Sequence, residues 1–218
     1  MKIVINSHNK SNIALEHLLE SMKECEEYND YEIIVFIGGY YTHTDYITTK
    51  KENITYVECN HNSIDFTGLI TLSELYSDDI NEHYLYLHDT CKVGKNFYKK
   101  LKAIDLTNVS SIRINSPHSM NIGIYSQKII NEVKGFLKTK KNTNERECMK
   151  FKSVGFNEDW IFDNDKNNFV LDKYFRNSHT GPLDYYKTGT MRIVEYYANL
   201  DLYKIKANWG QGTWTLNN

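Results

Sequence analysis

Tyr84-Leu85-Tyr86-Leu87-His88-Asp89-Thr90 sets four apolar or aromatic residues directly before His-Asp-Thr. A short apolar run of this kind reads as a buried strand. In open α/β sheets, ligands gather just outside the carboxyl ends of the strands. Asp89 therefore stands where a hard carboxylate could hold a divalent cation, and the cation a diphosphate.

Upstream of this stretch, strands and helices alternate. Residues 3–5 form a short apolar strand ending in Asn6-Ser7-His8-Asn9. Ser11 or Asn12 can cap a helix whose apolar face is Ile13, Leu15, Leu18, Leu19 and Met22. Residues 33–37 are all apolar, as in a strand covered on both faces, and Gly38-Gly39 ends them. A polar loop is expected over 40–53 and a third strand over 54–57. Phe66, Leu69, Ile70 and Leu72 place a second helix from Ser63 to about Tyr76. The order β-α-β-β-α-β predicts a mostly parallel central sheet flanked by helices.

Downstream the pattern is less regular. Phe97, Leu101 and Ile104 mark a short helix, and 112–114 and 122–125 read as strands. Ile129, Ile130, Val133 and Phe136 lie on one helical face. The lysine-rich interval 134–152 reads as a solvated loop, with a lid over the site as the alternative. Met191, Val194 and Tyr197 suggest a helix over 190–200, and 202–207 a strand. No repeat or linker interrupts the chain, so one domain over 1–218 is expected, with a ligand-binding half at 1–90 and a second half at 91–218.

A chain of 218 residues can bury a real core. A formal charge of −2 offers no basic field for nucleic acid. The 17 tyrosines suit both a core and a sugar-lined cleft, although biased codon usage is the plainer and preferred reading. Cys25, Cys59, Cys91 and Cys148 contain no CxxC pair, which argues against zinc and for free thiols in a reducing compartment. No apolar run approaches the ~20 residues that span a bilayer. The N-terminus turns polar too soon for a signal peptide, so a cytoplasmic protein without a membrane span is expected.

The whole order of elements resembles the GT-A glycosyltransferases. In that family, a nucleotide-binding α/β unit ends in a strand bearing an Asp-x-Asp-type motif, and a later acidic residue acts as base. Here His88-Asp89-Thr90 stands at the motif, and Glu158-Asp159 resembles the Glu-Asp pair of inverting members. Asn62-Ser63-Ile64-Asp65-Phe66 resembles the segment before the donor-site helix, and residues 120–125 the strand flooring the acceptor site. The departures are a single acid in the motif and Gly38-Gly39-Tyr40 where many members carry an Asp. In composition and layout the chain is also similar to small glycosyltransferases of large DNA viruses.

The resemblance implies a nucleotide-diphosphate sugar donor, UDP-linked by preference, bound by the half at 1–90, and a glycan or glycoprotein acceptor bound by the half at 91–218. It places Ser7, His8, Asn9, Gly38, Asp65, His88 and Lys206 at the donor. Asp89 and His179 become ligands of Mn²⁺ or Mg²⁺, which would neutralise the leaving diphosphate. Asp159, with Glu158 beside it, becomes the base for the acceptor hydroxyl. Plainer readings stand beside these. Asp89 can cap a turn, residues 157–159 can cap a helix, and His179 can be a solvent-exposed loop residue. Lys204, Lys206 and residues 209–212 can close over phosphate or form a tail. A retaining mechanism stays open. The alternatives for the whole chain are a nucleotidyltransferase and a non-catalytic carbohydrate-binding or scaffold protein on a degenerate transferase fold.

Overall fold

The computed structural model describes residues 1–114, 121–154, 169–170, 176–178 and 192–207. In chain order the elements are β1 (Lys2–His8), α1 (Asn12–Lys23), β2 (Ile33–Gly38), β3 (Ile47–Lys51), β4 (Ile54–Glu58), α2 (Thr67–Leu75), β5 (His83–His88), β6 (Cys91–Val93), α3 (Phe97–Lys102), β7 (Ser111–Arg113), β8 (Gly123–Ser126), α4 (Gln127–Glu132), α5 (Lys134–Thr139), α6 (Glu145–Val154), β9 (Phe169–Val170), β10 (Arg176–Ser178), β11 (Arg192–Tyr197) and β12 (Leu202–Ala207). Short 3-10 turns occupy Glu26–Asp30 and Ile64–Phe66.

These elements form two units. The first comprises Met1–Asn9, Tyr31–His88 and Leu106–Val170. Its sheet runs β3-β4-β2-β1-β5-β8-β7-β9. The central strands β4, β2, β1 and β5 are parallel, while β3 and β8 run antiparallel to their neighbours. The mostly parallel sheet read from the sequence is present. Register aligns Val4 with Ile34 and Tyr86, and Asn6 with Phe36 and His88. Side chains alternate along a strand, so Val4, Ile34, Phe36, Tyr84 and Tyr86 share one face. They are buried with Phe66, Leu69, Ile70 and Leu72 and with Ile129, Ile130 and Leu137 from α4 and α5. Each such side chain contributes on the order of 2 kcal/mol by leaving water. The alternating residues Ile3, Ile5, Ile33, Val35, Leu85 and Leu87 are fully buried as well, as expected for strands apolar on both sides.

Strand order positions the site. From β1 the chain moves outward to β2 and β4, then returns to the other side of β1 as β5. The carboxyl ends of β1 and β5 therefore flank the point where the order reverses. Open α/β sheets bind ligands in that crevice.

The second unit comprises Lys10–Asp30, Asp89–Asp105 and Leu171–Asn218. Its sheet, β10-β11-β12-β6, is antiparallel. Ala14 of α1 packs with Val194 and Ile205. Ser11 precedes α1 without making a side-chain cap bond.

Several local expectations change. The interval 40–53 contains β3, whose five residues are all exposed. It is an edge strand carrying two lysines, a usual protection of a sheet edge, and shows no apolar alternation to read. The second helix begins at Thr67 rather than Ser63, because Ile64 adopts φ 55° and cannot continue a right-handed helix. The apolar face 129–136 belongs to two helices, α4 and α5, that meet at Val133. The lysine-rich interval holds α5 and α6 rather than a loop. The expected helix over 190–200 is instead strand β11, paired with β10 and β12. Three residues at spacing three did not outweigh β-rich Ile193, Val194, Tyr196 and Tyr197 once two neighbouring strands were available. All four cysteines are free and buried. Among the described residues no helix is long and apolar enough to cross a membrane.

Candidate functional site

The end of β1 carries Asn6 into register with His88 at the end of β5. Both side chains lie on the face occupied by α2. Asn6 Oδ1 accepts the Gly68 backbone N–H at 2.9 Å, and its Nδ2 donates to the Ile64 carbonyl at 2.9 Å. Phe66, at the cap position of α2, supplies no side-chain bond, so a strand residue satisfies one of the helix's orphan donors. The Ile64 N–H donates to Asn62 Oδ1 at 3.1 Å, which also accepts from Thr67 Oγ1 at 3.1 Å. A β-branched residue at positive φ is strained. Here both of its peptide groups are held, and the next residue, Asp65, is aimed by that turn. Asp65 Oδ1 lies 2.7 Å from His88 Nε2. The Asp65 carbonyl accepts the Tyr86 hydroxyl at 2.9 Å, a bond that depends on the lack of a side chain at Gly68.

A second group forms beside the first, at the ends of β1, β2 and β4. The Asn9 N–H donates to the Gly38 carbonyl at 3.0 Å, and Asn9 Nδ2 to the Gly39 carbonyl at 2.9 Å. The Gly39 N–H donates to the His61 carbonyl at 3.1 Å. Gly39 has φ 100°, and a Cβ there would fall 2.8 Å from both His8 Nε2 and Asn9 Oδ1. Only glycine permits this approach. Ser7 is buried.

Behind these loops sits a polar network. Lys141 Nζ bonds Glu74 Oε2 at 2.7 Å and Oε1 at 3.1 Å. The Tyr46 hydroxyl donates to Glu74 and lies 3.3 Å from His61 Nε2, as does Thr71 Oγ1. Burial raises the Glu74 carboxyl, but its bonds to Lys141 and Tyr46 prevail and hold it below the usual range. Burial lowers His61 to about 4, with Lys141 adding to the effect and Glu74 opposing it. Backbone bonds tie the network to the site, since the Asn62 N–H donates to the Asn142 carbonyl at 3.0 Å and the Asn142 N–H to Ser63 Oγ at 3.0 Å.

The structure thus brings together Asp65 with His88, and His8 and Asn9 with Gly38. Asp89 opens the 89–105 segment of the second unit and is buried. Thr90 Oγ1 accepts Lys204 Nζ at 2.6 Å, and the Thr90 carbonyl accepts the Ile205 N–H at 2.8 Å. Lys204, expected near phosphate, is itself buried. The Lys206 backbone pairs with Ile193. Glu158, Asp159 and His179 lie outside the described residues. Among the described residues no three His, Cys, Asp or Glu side chains group to hold a metal ion, so Asp89 has no described co-ligand set there. The second unit also contains a cavity of about 610 Å³ lined in part by Cys25, Lys92, Asp201 and Tyr203.

Asn6, Gly39 and Asn62 stand in segments the sequence marks without giving them a role, and His61 carries no such mark. Asn6 could have been found as the first polar residue after an apolar strand. The roles of Asn62 and His61 depend on contacts with residues up to 80 positions away, as in the bond to Asn142.

No protein-family model matches the chain, and a search of curated proteins gives no significant match. Among solved structures, similarity extends to the galactosyltransferase LgtC in complex with donor and acceptor sugar analogues. That likeness has 14% identity and a TM-score of 0.49, and covers 80% of this chain and 74% of that one. It extends also to S. aureus TarS 1-349, at 15% identity and TM-score 0.46, covering 79% and 58%. The apo form of the glycosyltransferase GlyE of Streptococcus pneumoniae TIGR4 gives 10% and 0.45, covering 77% and 44%. The chain thus spans about half the length of the last two.

Proposed function

We propose that this protein is a glycosyltransferase that moves a sugar from a nucleotide-diphosphate donor, UDP-linked by preference, to a glycan or protein-linked acceptor. The observation that carries the reading is the polar group Asn6, Asp65 and His88 at the carboxyl ends of β1 and β5, where the strand order reverses. Close backbone packing around Gly38 and Gly39 leaves the neighbouring β1–β2 edge to polar groups of His8 and Asn9. A few fixed polar side chains at the carboxyl ends of parallel strands suit a sugar nucleotide. The proposed base for an inverting transfer is Asp159, with Glu158 as its neighbour. The proposed divalent cation rests on Asp89 and His179.

The same observation favours the second reading, a carbohydrate-binding protein without turnover. The test is thermal stability against a panel of nucleotide-diphosphate sugars, with Mn²⁺, with Mg²⁺ and with chelator. Ligand at a hundredfold excess over its Kd stabilises by about 2.7 kcal/mol. A shift with one nucleotide family supports a donor site, and survival of that shift in chelator removes the cation. Release of nucleotide diphosphate in the presence of acceptor separates an enzyme from a binder. Loss of that release in Asp159→Asn, with donor binding kept, supports the base.

A further inference from the structure

We propose that the cavity of the second unit is a saccharide-binding site, separate from the proposed transfer site, that holds a neutral sugar residue of a glycan. Its volume, about 610 Å³, falls within the range of small-ligand sites, roughly 300–1,000 Å³. It lies between the end of α1, the β6–α3 turn and the β11–β12 pair. Along β6, its edge at Gly94 stands about 14 Å from Thr90, at roughly 3.4 Å per residue. Asp89 and Thr90 are not among its lining residues.

The walls are fixed. Ser21 Oγ accepts the Val93 N–H at 3.1 Å, which ties α1 to β6. The Asp201 carbonyl accepts the Gly94 N–H at 2.7 Å. Asp201 Oδ2 accepts the Asn96 N–H at 2.9 Å, and Oδ1 accepts the Tyr196 hydroxyl at 3.0 Å. A Cβ at Gly94 would fall 2.2 Å from Asp201 Oδ1, so only glycine lets the two turns meet. A site held in shape beforehand pays less ordering entropy on binding.

The lining points to the ligand class. Val194 and Tyr203 give the cavity apolar surface, and the Tyr203 ring packs against Tyr196 with centres 4.6 Å apart. The face of such a ring carries partial negative charge and suits the C–H face of a sugar. Around it stand Lys92 and Lys95, opposed by Glu24 and Asp201. Two cations against two carboxylates leave little net field to draw a diphosphate, and the lysines repel a metal ion. Asn96 occupies the cap position of α3 without making a side-chain cap bond, and Glu24 and Lys95 are exposed. Amide, carboxylate and ammonium together offer donors and acceptors, which suits hydroxyls that act as both. An apolar platform rimmed by balanced donors and acceptors matches a sugar ring better than an anion or a lipid chain.

The test is a nitrogen-15 NMR titration of the full chain with disaccharides built from glucose, galactose and N-acetylglucosamine. UDP and the dipeptide glycylglycine are titrated separately. The expected result is a saturable shift of the Gly94 and Asn96 signals with at least one disaccharide, and none with UDP or the dipeptide. Asn96→Ala loses no cap bond, and Glu24→Ala removes an acid from the negative end of α1, so both should melt no lower than wild type. Each should nonetheless weaken disaccharide binding about tenfold, the loss of one hydrogen bond.

The absence of a saturable shift at Gly94 and Asn96 with every disaccharide overturns the proposal. So does a shift there with UDP, which would make the cavity a nucleotide site, or with the dipeptide, which would make it a peptide site. Wild-type affinity in both variants places the sugar elsewhere and overturns it too. None of the disaccharides carries a nucleotide, so the outcome is independent of the transferase reading. A chain that binds disaccharide here but no sugar nucleotide keeps this site and loses that reading.

Discussion

Asn6 on β1 caps a helix that begins sixty-one residues later in the chain, its Oδ1 accepting the backbone N–H of Gly68 at 2.9 Å. The same amide donates to the Ile64 carbonyl, so one strand residue holds both the helix start and the strained turn before it. The end of the central strand and the loop bearing Asp65 are thereby one mechanical piece.

Asn6→Ala should lower stability by about 1–2 kcal/mol, the usual size of a lost cap together with a buried carbonyl left unpaired. Asn6→Asp restores an acceptor for Gly68 but not a donor for Ile64, and should recover part of the loss. Urea unfolding of the three proteins checks the order. Equal midpoints would mean that the Asn6 bonds contribute nothing net.

Gly68→Ala places a Cβ 2.7 Å from Tyr86 Cε2 and 2.9 Å from its hydroxyl. Tyr86 is fully buried against Tyr125 and cannot swing away. Overpacking of this kind costs about 1–3 kcal/mol. The better helix propensity of alanine, worth about 1 kcal/mol, offsets only part of it. Chemical denaturation should show a net loss, with weakened donor binding because the ring moved is the one that holds the Asp65 carbonyl.

His61 is fully buried with a folded-state pKa near 4, depressed by burial and by Lys141. In the unfolded chain it binds a proton at the ordinary value, 6.5. Between those values the unfolded state holds more protons than the native state, so stability falls as pH falls from about 6.5 to about 4. The full difference is on the order of 3 kcal/mol. Glu74 has the usual carboxylate sign, with its contribution present above the unfolded value and lost only as pH falls further. His61→Gln should flatten the upper part of this slope. Urea midpoints taken at several pH values decide the matter, and an unchanged slope in His61→Gln would assign the proton uptake elsewhere.

The four thiols should be inert in the folded protein. Cys59 and Cys91 are fully buried, Cys25 and Cys148 nearly so, and burial pushes the Cys59 thiol up to about 12. Thiolate is the reactive form, so a disulfide reagent should label none of them in buffer and all four in denaturant. Rapid native labelling of one cysteine would reveal local opening around it.

The apolar runs at residues 33–37 and 84–87 were legible as strands because their burial on both faces leaves no polar residue to break the pattern. Residues 202–207 include Lys204 and Lys206 and were legible instead from their apolar start and the lack of a competing helical period. Strand β3 was not, since an exposed edge of Thr and Lys has no burial to record in its residues. Nor was β11, whose state was decided by pairing with β10 and β12 rather than by local spacing.

The same division holds at the site. Sequence alone determined that polar residues follow apolar strands, and so that Ser7, His8, Gly38, His88 and Asp89 stand at strand ends. That follows from local rules of burial and turn formation. Only the tertiary structure decided that Asp65 bonds His88, that Asn6 serves both Gly68 and Ile64, and that Lys204 is spent on Thr90. Those choices depend on which strands lie side by side and in what register. Register is set by the summed packing of residues far apart in the chain, and no local stretch of residues carries that information.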